Sequence, residues 1–481
     1  MKRKYKFNYR PKTKPFPHQV EAIEYITNKV NIPLFDEQGL GKTKIVIEAL
    51  CNNMAQGIID GVLVICKKHL IEIWKDEIET HSHLKYIVLR GNANEKGIKF
   101  MGYSHFYIIN YESVIGEIER LKMFLKIRKM AIVLDESHKI KNPNAKTTKS
   151  TLALRDLAKK RIIITGTPIA NKPLDLWTQF YFLDKGELLG NDYKKFEKKY
   201  SVNLKDINLP EQKDRFSNLR NIILSNSIRR LKKDVLELPE KIYIDKYVQI
   251  KGLQKRIYTQ LKNELYIEIT NIDGERIIDE SSELLKKLLR LAQIASNPFL
   301  VDKAYDETPA KFPLLDALVE SILEQKEKVI VWSCFVENIR ILYRRYRRLG
   351  SLILYGDIPI EKRNEIVKQF RNNNEFAILI ANPAAAREGL TLTAANNAIY
   401  LDRNFNLVDY LQSQDRIHRI SQTKECRIYK LIAKNTIDEY VDELIYKKHK
   451  LAEYVQGDLD NINFEKEFMT KEQLLEIVGQ K

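Results

Sequence analysis

The sequence predicts an α/β protein of two parallel-sheet lobes in tandem, with helical insertions around their junction. Three observations carry this. Short apolar, β-rich runs alternate with longer helical patterns over most of the chain, as they do when crossover helices join parallel strands. The runs fall into two groups, separated by a helical and highly charged stretch from about Leu174 to Lys311. The length of 481 residues fits that division, because roughly 100–200 residues per domain gives about three compact units or two large ones.

The first group is Ile32–Phe35, Val62–Ile65, Tyr107–Ile109, Ala131–Leu134 and Arg161–Ile164, each run ending in polar or glycine residues. The second is Val329–Trp332, Ser351–Leu354, Ala377–Ile380, Ala398–Leu401 and Arg427–Ile432. Between the groups only Ile242–Ile250 has strand character. The domains so drawn are 1–238, with a helical protrusion from about 174, and 239–481, with a protrusion over about 251–311 and C-terminal helices.

Composition narrows the function. Hydrophobic residues make up 44% and charged residues 30%, enough apolar material for real cores and too much for a mainly disordered chain. The net charge of +17 favours a polyanionic partner, most simply nucleic acid, although an anionic membrane surface would also be attracted. No stretch approaches the ~18 consecutive apolar residues of a membrane-spanning helix, and no apolar signal segment follows the basic start Met1-Lys2-Arg3-Lys4. Cys51, Cys66, Cys334 and Cys426 are scattered with no C-x-x-C pair, which argues against zinc and disulfides and for thiols in a reducing cytosol.

The sharpest local signal is Asp36-Glu37-Gln38-Gly39-Leu40-Gly41-Lys42-Thr43, set between a strand-like run and a helical pattern. Gly39 and Gly41 let backbone N–H groups turn toward phosphate oxygens, Lys42 reaches the β/γ-phosphates, and Thr43 can ligate Mg²⁺. Asp36 stands where the general P-loop pattern has its first glycine. A second signal follows the strand Ile132-Val133-Leu134: Asp135 and Glu136 form a carboxylate pair at its C-terminal edge, where open α/β sheets bind ligands. Asp135 suits the hydrated Mg²⁺, and Glu136 suits the orientation and deprotonation of an attacking water. Alone, the first signal favours a nucleotide site over a glycine turn leading into a helix, and the second reads equally as a solvated acidic loop. Together they point to ATP hydrolysis.

A third element, Gln412–Gln422, places Gln412, Arg416 and Arg419 at i, i+4 and i+7 on one face of a predicted helix, with Ile417 and Ile420 turned into the lobe. From that face two arginines can reach a γ-phosphate held by the other lobe, and arginine fingers contribute about 10³–10⁵ in rate elsewhere.

The set resembles the superfamily II DExH-box ATPases of the Swi/Snf type, a class of DNA-translocating motors, over nearly the whole chain from Phe16-Pro17-His18-Gln19 to about Gly457. The acidic residue in Asp36–Thr43 matches that family's version of the P-loop. Leu70-Ile71-Glu72-Ile73-Trp74-Lys75 resembles motif Ia, and Asp135-Glu136-Ser137-His138-Lys139-Ile140-Lys141-Asn142 resembles the family's acidic box with its basic extension. Thr165-Gly166-Thr167-Pro168 resembles motif III, Arg229–Val235 and Asn297–Leu300 resemble segments particular to the family, and Gln412–Gln422 resembles motif VI.

The resemblance implies two RecA-like lobes, ATP and Mg²⁺ as cofactors, adenine recognition by Gln19, a contribution of Gln412 to the ATP site, and coupling through His138, Thr165 and Thr167. Of the glycine-rich motif V the segment Ala386–Thr393 keeps only Gly389 and the start of a Leu-Thr-Ala-Ala stretch, which implies an altered grip by the second lobe.

Backbone tracking needs donors for phosphate oxygens and little base reading. The candidates are Lys67, Lys68, Lys141, Arg229, Arg230, Gly389, Thr391 and Thr393. The partner expected is double-stranded DNA, or single-stranded or branched DNA, with no membrane and with protein partners undefined. The expected location is the cytoplasm of a prokaryote or a phage-infected cell. Three activities compete: translocation on duplex DNA without strand separation, strand separation within a phage or mobile-element module, and a scaffold that binds DNA without hydrolysis. The joint presence of Lys42, Thr43, Asp135, Glu136, Arg416 and Arg419 disfavours the scaffold.

Overall fold

The computed structural model describes residues 9–170, 172–201, 210–270, 282–385, 390–419 and 421–459. Gly389, a predicted DNA contact, and Ile420 lie outside the described residues. Two compact units emerge. Among the described residues the first comprises 9–201, 210–237 and 452–459, and the second comprises 238–451.

The first unit is built on six parallel strands: β1 (Asn31–Leu34), β2 (Gly61–Cys66), β3 (Tyr86–Val88), β4 (Phe106–Asn110), β5 (Met130–Asp135) and β6 (Lys160–Ile164). Their spatial order is β1-β6-β5-β2-β4-β3. All six residues of β2 are buried, as are the first five of β5. That explains why these strands read as unbroken Val/Ile/Leu runs: helices cover both faces of a parallel sheet, so no polar alternation appears. Register brings the strand ends level, with Leu34 opposite Ile164 and Asp135 also opposite Ile164. The residues that follow β1, β5 and β6 therefore emerge side by side at one edge.

The second unit repeats the plan with β7 (Lys241–Val248), β8 (Val329–Trp332), β9 (Ser351–Leu354), β10 (Ile378–Ala381), β11 (Asn397–Tyr400) and β12 (Cys426–Ala433), in the order β7-β12-β11-β8-β10-β9. All pairs are parallel. Helices Asp175–Asp184, Tyr193–Tyr200 and Pro210–Asn226 follow the first sheet, and Gly252–Thr270 and Ser282–Ser296 interrupt the second unit.

Two strands depart from the sequence reading. Tyr86–Val88 is three half-buried residues beside β4, too short to show a period. The strand character at Ile242–Ile250 belongs not to a helical junction but to β7, which pairs with β12 over eight residues as the edge of the second sheet. Residues 452–459 also depart, since they pack in the first unit although the sequence reading placed 239–481 together.

Candidate nucleotide site

The helix Lys42–Ala55 follows β1 through the loop Phe35–Gly41. Gly39 and Gly41 have φ of +88° and +78°, the left-handed region that glycine enters without steric cost. A Cβ at Gly41 would lie 2.3 Å from Nε2 of Gln19, so a side chain is excluded there twice over. Lys42 donates through Nζ to the carbonyls of Asp36 (2.8 Å) and Glu37 (3.0 Å). Burial lowers its pKa, opposed by the charges of Asp36, Glu136 and Asp135 and reinforced by that of Arg229. Thr43 is half-buried in the first turn of the same helix.

Asp135 ends β5 with both carboxylate oxygens engaged. Trp74 Nε1 donates to Oδ2 at 2.8 Å and the Glu136 amide to Oδ1 at 2.9 Å. Burial, then the charge of Glu136, pushes its pKa up to about 6. Each oxygen retains a lone pair beyond its one hydrogen bond, so the carboxylate is fixed in direction and still able to ligate a cation. With the Thr43 hydroxyl it would offer hard-oxygen donors of the kind that suits Mg²⁺, a metal held by one or two protein groups together with phosphate oxygens.

Glu136 sits at φ 51°, ψ 53°, a left-handed conformation rare for a residue with a Cβ. That turn aims its carboxylate at His138 Nδ1 (3.2 Å) and within 3.4 Å of the Thr165 hydroxyl. Thr165 in turn accepts from the Thr167 amide at 3.1 Å. Burial alone would raise the pKa of Glu136, but the His138 hydrogen bond and the charges of Lys67 and Lys42 hold it well below the ordinary carboxylate value. Burial and Lys67 lower the pKa of His138. Nζ of Lys67 lies 2.9 Å from Nε2 of His138.

Several residues expected at the ATP or DNA sites have partners within the chain. Gln19 is buried, with Oε1 accepting from the Phe16 amide and Nε2 donating to the Leu40 carbonyl, so both ends of its amide serve the N-terminal helix and the loop. Arg229 and Arg230, expected on DNA, turn inward instead. The segment from Ile228 to Arg230 runs along β1, joined by Phe35 N to Ile228 O (2.8 Å) and Glu37 N to Arg230 O (2.9 Å). Arg230 forms a bidentate pair with fully buried Asp36, and Arg229 pairs with Asp458. A buried carboxylate must be paired to remain charged, and Asp36, the residue that breaks the general P-loop pattern, provides the reason why a basic run is drawn here. Lys67 likewise faces His138, whereas Lys68 is exposed and Lys141 half-buried.

In the second unit the predicted helix ends at Gln414, so Arg416 and Arg419 lie in the turns beyond it and share no long helical face. Gln412 is buried, and its carbonyl accepts from Arg416 Nε at 3.0 Å. Arg419 Nη1 donates to the Thr391 hydroxyl at 3.0 Å, and Thr393 Oγ1 lies 2.8 Å from Ser421 Oγ. Ile417 is fully buried, as expected.

A glycine loop with a half-buried lysine, set beside adjacent carboxylates at the C-terminal edge of a parallel sheet, has the geometry of a P-loop and makes a candidate nucleotide site in the first of two RecA-like lobes. Residues 18–300 match the SNF2-related domain and residues 310–421 the helicase conserved C-terminal domain. The chain belongs to the SNF2-related family.

It is 28% identical over 470 residues to the uncharacterized ATP-dependent helicase MG018 of Mycoplasma genitalium, covering 96% of this chain and 44% of that one. It is 28% identical over 452 residues to the chromatin structure-remodeling complex subunit snf21 of Schizosaccharomyces pombe, covering 87% and 37%. The chain thus spans less than half the length of these curated relatives. Among solved structures it is similar to the SWI2/SNF2 ATPase core of Sulfolobus solfataricus in complex with dsDNA, at 26% identity and a TM-score of 0.45, covering 98% of each chain.

Proposed function

We propose that the chain is an ATP-driven motor that hydrolyses ATP and uses the cycle to move along double-stranded DNA. The observation that carries this reading is the convergence of Lys42, Asp135, Glu136 and Thr165 at the level ends of β1, β5 and β6. Lys42 holds the β/γ-phosphates and the loop amides cradle their oxygens. Thr43 and Asp135 would hold Mg²⁺, which would neutralise phosphate charge. Glu136, kept ionised by His138, orients a water and accepts its proton. Thr165 and Thr167 link that carboxylate to the loop after β6. Arg416 and Arg419 of the second unit stabilise the transferring phosphoryl group, so both units are needed for full turnover.

The net charge of +17 supports a nucleic-acid track, and the SNF2-related family match and the relative's name as a chromatin-remodelling subunit support DNA as that track. Steady-state ATPase assays with double-stranded DNA, single-stranded DNA and RNA test the proposal, with displacement of a triplex third strand as the measure of movement. Turnover that no nucleic acid stimulates would overturn it.

A further inference from the structure

One guanidinium ties together the floor of the nucleotide site. Arg229 Nη1 donates to the carbonyls of Phe35 (2.5 Å), which opens the phosphate loop, and of Gly166 (3.1 Å), which lies between Thr165 and Thr167. Its remaining edge, Nε and Nη2, meets Asp458 at 3.0 and 2.5 Å in a bidentate pair. Both side chains are about nine-tenths buried, at 11% and 9% exposure. A planar fork held on one edge by a carboxylate has little freedom left on the other, so Asp458 sets where Arg229 points its two carbonyl contacts.

The placement of Asp458 is itself built. The helix Ile437–Gln456 ends at Gly457, whose φ of +87° is the left-handed turn that closes a helix C-terminus. The Gly457 amide bonds to Tyr454 O (3.0 Å) and the Asp458 amide to Glu453 O (2.8 Å), reversing the chain. A Cβ on Gly457 would come within 2.3 Å of Leu224 Cδ2, so only glycine lets the turn approach this closely.

We infer that Asp458 is a positioning residue of the nucleotide site: through Arg229 it fixes the spacing between the phosphate loop at Phe35 and the Thr165–Thr167 segment. The inference rests on the ATP reading above and reaches beyond it, since residue 458 lies outside the P-loop, the acidic box and every other motif of that site. Loss of the carboxylate leaves Arg229 one-sided, the two loops drift apart, and ATP is held less well by a site whose reacting groups are all present.

The test uses the full chain and the variants Asp458→Asn, Asp458→Glu and Gly457→Ala. Amide exchange over 35–42 and 165–170, measured without nucleotide, reads the tie directly. Exchange should rise in Asp458→Asn and Gly457→Ala and stay near wild type in Asp458→Glu. KM for ATP should rise about tenfold in the first two, with kcat changed less than about threefold, because a misplaced loop weakens binding more than chemistry. Wild-type exchange in both loops, or a lowered melting temperature with unchanged KM, would overturn the inference. A wild-type chain that fails to hydrolyse ATP would instead sink the ATP reading, and the exchange data alone would then decide whether Asp458 holds the loops.

Discussion

Lys67 donates to Nε2 of His138, and because an ammonium has no lone pair the imidazole proton is confined to Nδ1, the nitrogen that faces Glu136. One lysine thus selects the tautomer that keeps the carboxylate hydrogen-bonded. Lys67→Met should therefore lower kcat by about ten- to a hundredfold, the worth of one charge-assisted hydrogen bond, with KM for ATP little changed. It should leave the salt slope of DNA binding intact. A loss of DNA affinity with normal turnover would return Lys67 to the track.

Glu136→Gln retains shape and removes the base. ATP affinity should persist while single-turnover hydrolysis falls by about 10²–10⁴, the usual contribution of a positioned general base. Equilibrium binding of ATP beside single-turnover kinetics separates the two effects.

Arg230→Gln leaves buried Asp36 without its partner. Breaking a buried pair costs about 3–5 kcal/mol, so thermal unfolding of the first unit should move down sharply. The slope of log DNA affinity against log salt should not change, whereas a phosphate contact would remove about 0.9 from it.

Arg416→Ala and Arg419→Ala should each abolish most of the DNA-stimulated rate, by up to about 10³-fold, while nucleotide binding measured on the intact chain stays near normal. Equal turnover with and without these arginines would remove the second unit from the chemistry.

In the second unit Asp442 accepts from Arg403 and, at 3.0 and 3.2 Å, from Lys430. Burial would raise its pKa, but those two cations hold it below the ordinary carboxylate range. A carboxyl whose folded pKa is depressed adds stability above its unfolded pKa and loses it as pH falls through the folded value. Asp442→Asn should thus lower stability at pH 7 by about 2 kcal/mol. The gap to wild type should close as the pH falls through the depressed pKa of the folded state. Melting curves at several pH values check the sign.

Ten of the twelve strands among the described residues were legible because strands buried on both faces leave continuous apolar runs. Tyr86–Val88 and Lys241–Val248 were harder for opposite reasons: one is too short, and the other sits at an edge, alternates half-buried and exposed residues, and borders a charged stretch. Lys42, Asp135 and Glu136 could be found because local spacing after a strand determines where they emerge. Partnerships across the chain could not. Nothing near Arg229 announces Asp458, and a basic run looks the same whether it meets phosphate or a buried carboxylate. Trp74 left a faint clue, since a tryptophan on a buried helical face needs a partner for its N–H, and that partner is Asp135.

Residues 452–459 are part of the first unit yet are translated after the whole of 238–451. At about 5–20 residues per second, that separates Arg229 from Asp458 by about eleven to forty-six seconds on the ribosome. The earlier-made lobe is therefore finished after the later one has emerged. Its assembly is a matter of chain return, and a nascent polypeptide stalled between residues 229 and 458 carries a phosphate loop whose arginine brace is anchored on one edge only.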